Sequence, residues 1–107
     1  MDNLTQQFPE QIICDRAPTD EERALLGLVW ALGEGSYDRL RLLKDGTVIG
    51  IGRLLFTRAI YVDAHPWGFA LRYCYDDRQL ADQQFDQLQT GDCEPTGWIA
   101  TRPERRA

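Results

Sequence analysis

Apolar positions recur along this chain in two rhythms, and the switches between them lay out the elements. From Ala24 the rhythm is helical. Ala24, Leu25, Leu28, Val29 and Leu32 fall at the three- and four-residue spacing that puts one stripe on a helix. Thr19, with Glu22 three residues later, makes a capping box after Pro18, and Asp20, Glu21 and Glu22 fill the turn where the helix dipole favours negative charge. Gly33 and Gly35 supply the stop. Leu26 and Trp30 lie off the main stripe, so the helix is either buried on two sides or places Trp30 at an interface.

The centre changes to a two-residue rhythm. Lys44-Asp45-Gly46-Thr47 carries the Asp-Gly pair of a tight hairpin. A two-residue turn sets Leu42 opposite Ile49 and Leu40 opposite Ile51, with Arg39 and Arg41 on the other face beside Gly52 and Gly50. A slip of one residue would bury the arginines. Ala59-Ile60-Tyr61-Val62 reads as a strand, and Ala64-His65-Pro66-Trp67-Gly68 as a turn. Phe69, Leu71, Tyr73 and Tyr75 then alternate with Ala70, Arg72 and Cys74 as a half-buried strand.

A second helix follows, with Asp76 as its cap and Gln79 completing the box; Leu80, Ala81, Phe85 and Leu88 form its stripe, and Gly91 ends it. Trp98-Ile99-Ala100 pairs as a last strand or lies against the core. Ile12, Ile13 and Cys14, within an otherwise polar stretch over 1–16, form an edge strand or an arm, and 102–107 reads as a frayed charged tail. The expected architecture over 1–107 is a single α+β domain, an antiparallel sheet of about four strands with two helices packed on one face.

Composition narrows the classes. A chain of 107 residues, 43% hydrophobic and 27% charged, can bury one core without staples. No apolar run approaches the roughly 20 residues that cross a bilayer. The start, Met1-Asp2-Asn3-Leu4, lacks a secretory pattern, so a cytoplasmic location is expected, without a membrane. Cys14, Cys74 and Cys93 are scattered and unpaired in spacing, which suits neither a disulfide framework nor a metal site. The net charge of −5 disfavours nonspecific nucleic-acid binding, although residues 37–64 are locally basic.

No catalytic set assembles in sequence, and neither a metal nor a cofactor is expected. His65 is the sole conventional base, and an exposed turn histidine is the plainer reading. Gly50-Ile51-Gly52 sits inside a strand without a third glycine, which points to close packing rather than dinucleotide binding. Arg39, Arg41, Arg53 and Arg72, interleaved with tyrosines, are candidates for an anionic ligand or stacked bases, against the reading of a solvated face paired to carboxylates. Asp76, Asp77, Asp82, Asp86, Asp92 and Glu94 are candidates for a phosphate-mimicking acidic face, against that of an ordinary exposed helix. Trp67, in a turn, is the best aromatic candidate for a contact.

Gly50-Ile51-Gly52-Arg53-Leu54-Leu55-Phe56-Thr57, then Arg72-Tyr73-Cys74-Tyr75, then Gly91-Asp92 with Pro95, Gly97, Trp98 and Ile99, resemble small uncharacterised proteins of phage, prophage and bacterial genomes. The resemblance spans roughly residues 46–100. It implies a mobile-element protein and carries over no catalytic residue. The function expected is therefore a small acidic accessory protein, non-enzymatic, that binds a host protein, including inhibitors of the anti-CRISPR type. The alternative is a small-ligand or nucleic-acid-binding domain using the arginine and aromatic face. A symmetric homodimer is compatible with either.

Overall fold

The computed structural model describes residues 9–33 and 36–103. Six strands form one sheet in the order of the chain: β1 (Ile12–Cys14), β2 (Arg39–Leu42), β3 (Val48–Arg53), β4 (Arg58–Val62), β5 (Leu71–Tyr75) and β6 (Ala100–Pro103). Helix α1 (Asp20–Leu32) connects β1 to β2, and α2 (Arg78–Gln87) lies between β5 and β6. The α+β class holds, but the sheet has six strands rather than about four, and it is mixed. β1 runs parallel to β2 because a helix separates them, while every later pair is antiparallel. Arg102 and Pro103, expected in a frayed tail, pair in β6. The rest of that tail, and residues 1–8 of the expected arm, lie outside the described residues.

The two helices lie on opposite faces, not on one. β2 alternates Arg39, Leu40, Arg41 and Leu42. Leu40 and Leu42 pack with Leu26 and Val29 of α1, and Ile12 and Val48 join them. Arg39 and Arg41 point the other way, toward α2. There Phe85, Ala81 and Leu88 bury against Ile49, Ile51, Ile60, Tyr73 and Tyr75. Two-sided burial explains why β3 is apolar almost throughout, since alternation requires one wet face.

The β2–β3 register differs by one residue from the expected one. Arg39 faces Ile51, Leu40 faces Gly50, Arg41 faces Ile49 and Leu42 faces Val48. The cause lies in the turn. Leu43 N–H donates to Thr47 O at 2.9 Å, leaving Lys44, Asp45 and Gly46 as a three-residue loop with Gly46 at φ 92°. That is the turn-plus-bulge hairpin, which the Asp-Gly pair serves as well as it serves the two-residue form. The slip does bury an arginine: Arg41 is 7% exposed.

The helix starts follow side-chain chemistry. Thr19 Oγ1 accepts from Glu22 N–H at 3.1 Å, and Glu22 Oε1 accepts from Thr19 N–H at 2.9 Å, so the first capping box is present as expected. Arg16 grips both Glu22 oxygens at 2.7 and 2.8 Å and reaches the Lys44 carbonyl at 2.9 Å. This joins the start of α1 to the β2–β3 loop. For α2 the cap is Asp77 rather than Asp76, its Oδ1 accepting from Leu80 N–H at 3.1 Å. The α1 stripe also turns. Leu26 and Val29 are buried, while Leu28 and Leu32 face out at 51% and 61% exposure.

Candidate functional site

On the face that α1 covers, the helix roofs β1, β2 and part of β3. Beyond it the sheet surface carries a small cluster of Ala59, Tyr61 and Cys74, edged by Tyr37, Leu54 and Phe69. Tyr37 follows the end of α1 and lies over Gly50, where an added Cβ would meet its ring at 2.6 Å. At Gly52 a Cβ would run into the Ser36 carbonyl. Close packing is thus the use of the Gly-Ile-Gly strand, as its position suggested.

Between the end of α1 and the β4–β5 turn lies an open cleft of about 270 Å³. Its lining includes Leu32, Tyr37, Tyr61, Trp67, Phe69 and Arg72. The aromatic groups brace one another edge to face. Tyr37 and Tyr61 have ring centroids 5.2 Å apart, and Tyr61 and Phe69 5.0 Å. Burial pushes the Tyr37 hydroxyl up to about 12, with Tyr61 adding to it. Burial also raises the Tyr61 pKa, against the pull of the Arg72 guanidinium. The walls are therefore neutral hydroxyl-bearing rings at ordinary pH.

The rim comes from the turn after β4. His65 and Gly68 exchange backbone hydrogen bonds at 2.9 and 3.1 Å, and Trp67 N–H donates to His65 Nδ1 at 3.3 Å. A turn so fixed holds Trp67 out at 85% exposure. His65 is half-buried on the cleft wall, 6.4 Å from the Trp67 ring between centroids, rather than an exposed turn residue. Its Nδ1 is engaged as an acceptor, so its role here is to shape the turn.

The arginine set is divided by the sheet. Arg39, Arg41 and Arg53 alternate onto the α2 face, whereas Arg72, paired across from Tyr61, lies on the cleft face. Arg39 bonds Asp86 at 3.0 Å and Asp82 at 3.4 Å. Arg41 bonds Asp15 at 2.6 Å and the Phe85 carbonyl. Arg58, between Asp38 at 2.6 Å and Asp82 at 3.0 Å, has burial working against its charge, yet the two carboxylates raise its pKa. Arg53 is exposed at the end of β3. Arg72 has its guanidinium 5.8 Å from the Phe69 ring centroid, and its Nε is buried with no hydrogen-bond partner among the described residues.

The acidic candidates are likewise separated by role. Asp77 caps α2, and Asp82 and Asp86 are held by arginines of the sheet. Asp76, Asp92 and Glu94 stand exposed at the two ends of that helix region. Among the described residues no group of three or more His, Cys, Asp or Glu side chains could hold a metal ion, and no helix is long and apolar enough to cross a membrane. Comparison with protein-family models, with curated proteins and with solved structures gave no match.

Sequence reasoning singled out Trp67 and Arg72 but missed Tyr37, Tyr61 and Phe69 as one cluster, and Leu32 as a rim residue. One signal for Leu32 was available. Eight apolar side chains from Ala24 to Leu32 exceed what one buried stripe can use, so some of them had to face solvent.

Proposed function

We propose that this protein is a non-enzymatic binding module that docks on a partner protein through the rim of the cleft. The observation that carries the proposal is Trp67, 85% exposed on a turn fixed by its own hydrogen bonds, with the exposed Leu32 lining the same cleft. A rigid exposed tryptophan costs little entropy to immobilise and supplies a large contact area, which is why such residues dominate interface energetics. Leu28, one turn back on α1, extends the apolar strip. The rim is favoured over the acidic helix because Asp82 and Asp86 already have cationic partners within the molecule. Under this reading, which the resemblance to phage and prophage proteins supports, the partner is a host protein of the bacterial cytoplasm and the role is inhibition of host defence.

The test is affinity capture from nuclease-treated bacterial lysate with the wild-type chain and Trp67→Ala. The expected result is one stoichiometric protein retained by the wild type and lost with the variant. Equal retention by Trp67→Ala would remove the rim from the interface.

A second reading, a small-ligand site, is favoured by Arg72 alone of the original arginine set. It lines the cleft, and its Nε lacks the partner that a buried donor requires.

A further inference from the structure

We infer that the floor of the cleft binds a small aromatic ligand carrying an oxyanion, a carboxylate or a phosphate, with Arg72 as its principal anchor. The inference rests on the second reading, that the cleft receives a ligand, and is independent of partner docking.

Three observations converge on it. The first is the buried Arg72 Nε with no hydrogen-bond partner among the described residues. Buried donors are nearly always satisfied, and a charged one left open is the costliest kind. The second is the pairing of β5 with β6, which sets Arg102 directly opposite Arg72. Like charges facing each other across two strands repel. No carboxylate of the described residues lies within ion-pair distance of either, whereas Arg39, Arg41 and Arg58 on the other face all have carboxylate partners. An oxyanion seated on the Arg72 guanidinium, whose Nε itself is enclosed by protein, would offset its charge and relieve the repulsion from Arg102. A guanidinium offers parallel N–H groups in a fork that fits two oxygens of one carboxylate or phosphate.

The third observation is the wall chemistry. Phe69, Tyr61 and Tyr37 line the cleft, with Trp67 at its mouth. Such a lining stacks a planar ring and offers phenolic hydroxyls to its substituents. Size sets the class. At about 270 Å³ the cleft falls below the range of roughly 300–1,000 Å³ for drug-sized ligands and cofactors. A single ring system with one anionic arm suits it.

The test uses the purified full-length chain, labelled for amide chemical-shift mapping. It is titrated in separate arms with indole-3-acetate, as the carboxylate, and uridine monophosphate, as the phosphate. Neutral indole-3-acetamide and uridine are the controls. The expected result is saturable shifts at Tyr61, Trp67, Phe69 and Arg72 with at least one anion, weakening as salt rises, and little response to its neutral counterpart. The responding arm identifies the oxyanion. Arg72→Gln should weaken that binding by roughly tenfold to a hundredfold, the value of a charge-assisted hydrogen bond. Arg102→Gln, at an exposed edge position, should weaken it less and serves if the first variant does not fold. Absence of saturable shifts with both anions, or equal affinity for the neutral compounds, would overturn the inference. Neither result would bear on capture of a partner protein by the rim.

Discussion

The two faces of the sheet solve the same problem in opposite ways. Both carry arginines beside aromatic rings. On the α2 face the cations are closed in: Arg39 and Arg41 lie over the Phe85 ring at 4.9 and 5.8 Å, and Asp15, Asp38, Asp82 and Asp86 neutralise them and Arg58. On the other face α1 stops short, Arg72 lines an open aromatic cleft with Arg102 paired beside it, and neither has a carboxylate partner among the described residues. The first arrangement is a structural joint between helix and sheet. The second is where the proposed ligand would sit. Residue type alone therefore does not separate a structural joint from a surface with spare charge; the partners do.

The contrast is sharpest in stability. Phe85→Ala removes a fully buried ring from beneath two guanidinium groups and should cost roughly 3–5 kcal/mol in urea unfolding. Trp67→Ala, the comparable aromatic truncation on the open side, should change stability by about 0.5 kcal/mol or less. Equal costs would mean that the cleft rim belongs to the core. The arginines make a second pair. Arg41→Met leaves Asp15 and the Phe85 carbonyl without their buried donor and should cost about 3 kcal/mol. Arg72→Met removes no carboxylate's partner, only the guanidinium beside the Tyr61 hydroxyl, and should fall within about 1 kcal/mol of the wild type.

How far the sequence could be read follows from the same contrast. Local chemistry was legible: the Thr19–Glu22 box and the α2 stripe of Ala81, Phe85 and Leu88 follow from spacings of a few residues, and glycines inside a strand announce close packing even though the partner of Gly52, Ser36, lies elsewhere in the chain. The side of the sheet was not. Asp45-Gly46 is compatible with two loop lengths that differ by one residue, and that residue decides which face Arg39 and Arg41 occupy. With the wrong register, the arginines looked like a ligand surface and the helix carboxylates looked unoccupied. The cleft was legible only in fragments, because Tyr37, Tyr61, Phe69 and Arg72 meet through three strand pairings rather than through one motif.

A smaller effect separates the faces by pH. Glu22 is held down to about 2 by Arg16, with help from the Thr19 backbone, so it is ionised in the folded chain well below the ordinary glutamate value of 4.5. A carboxyl depressed on folding stabilises fully above its unfolded pKa, and that contribution is lost as pH falls toward the folded value. Between about pH 4.5 and 2 the α1 side should therefore loosen in step with Glu22 protonation, as measured by helical circular dichroism, and Glu22→Gln should abolish that step. An unchanged profile in the variant would show that the Arg16–Glu22 clasp contributes nothing to the acid response.

The strand order carries a consequence of another kind. Each strand lies beside its predecessor in the chain, from β1 to β6 without exception. After the single helical crossover from β1 to β2, the next three pairings close over short turns, so little loop entropy is spent before each new contact forms. Mostly local pairing of this sort lets a sheet assemble stepwise, and chains with such connectivity fold faster than sheets stitched from distant segments. The last strand differs: β6 joins β5 across the segment that carries α2, so its pairing, like that of β1 with β2, costs more loop closure than the hairpins do. The two edges of the sheet, β1 and the Arg102-bearing β6, are thus the strands tied on by helix-bearing connections, while the four between them are joined by turns.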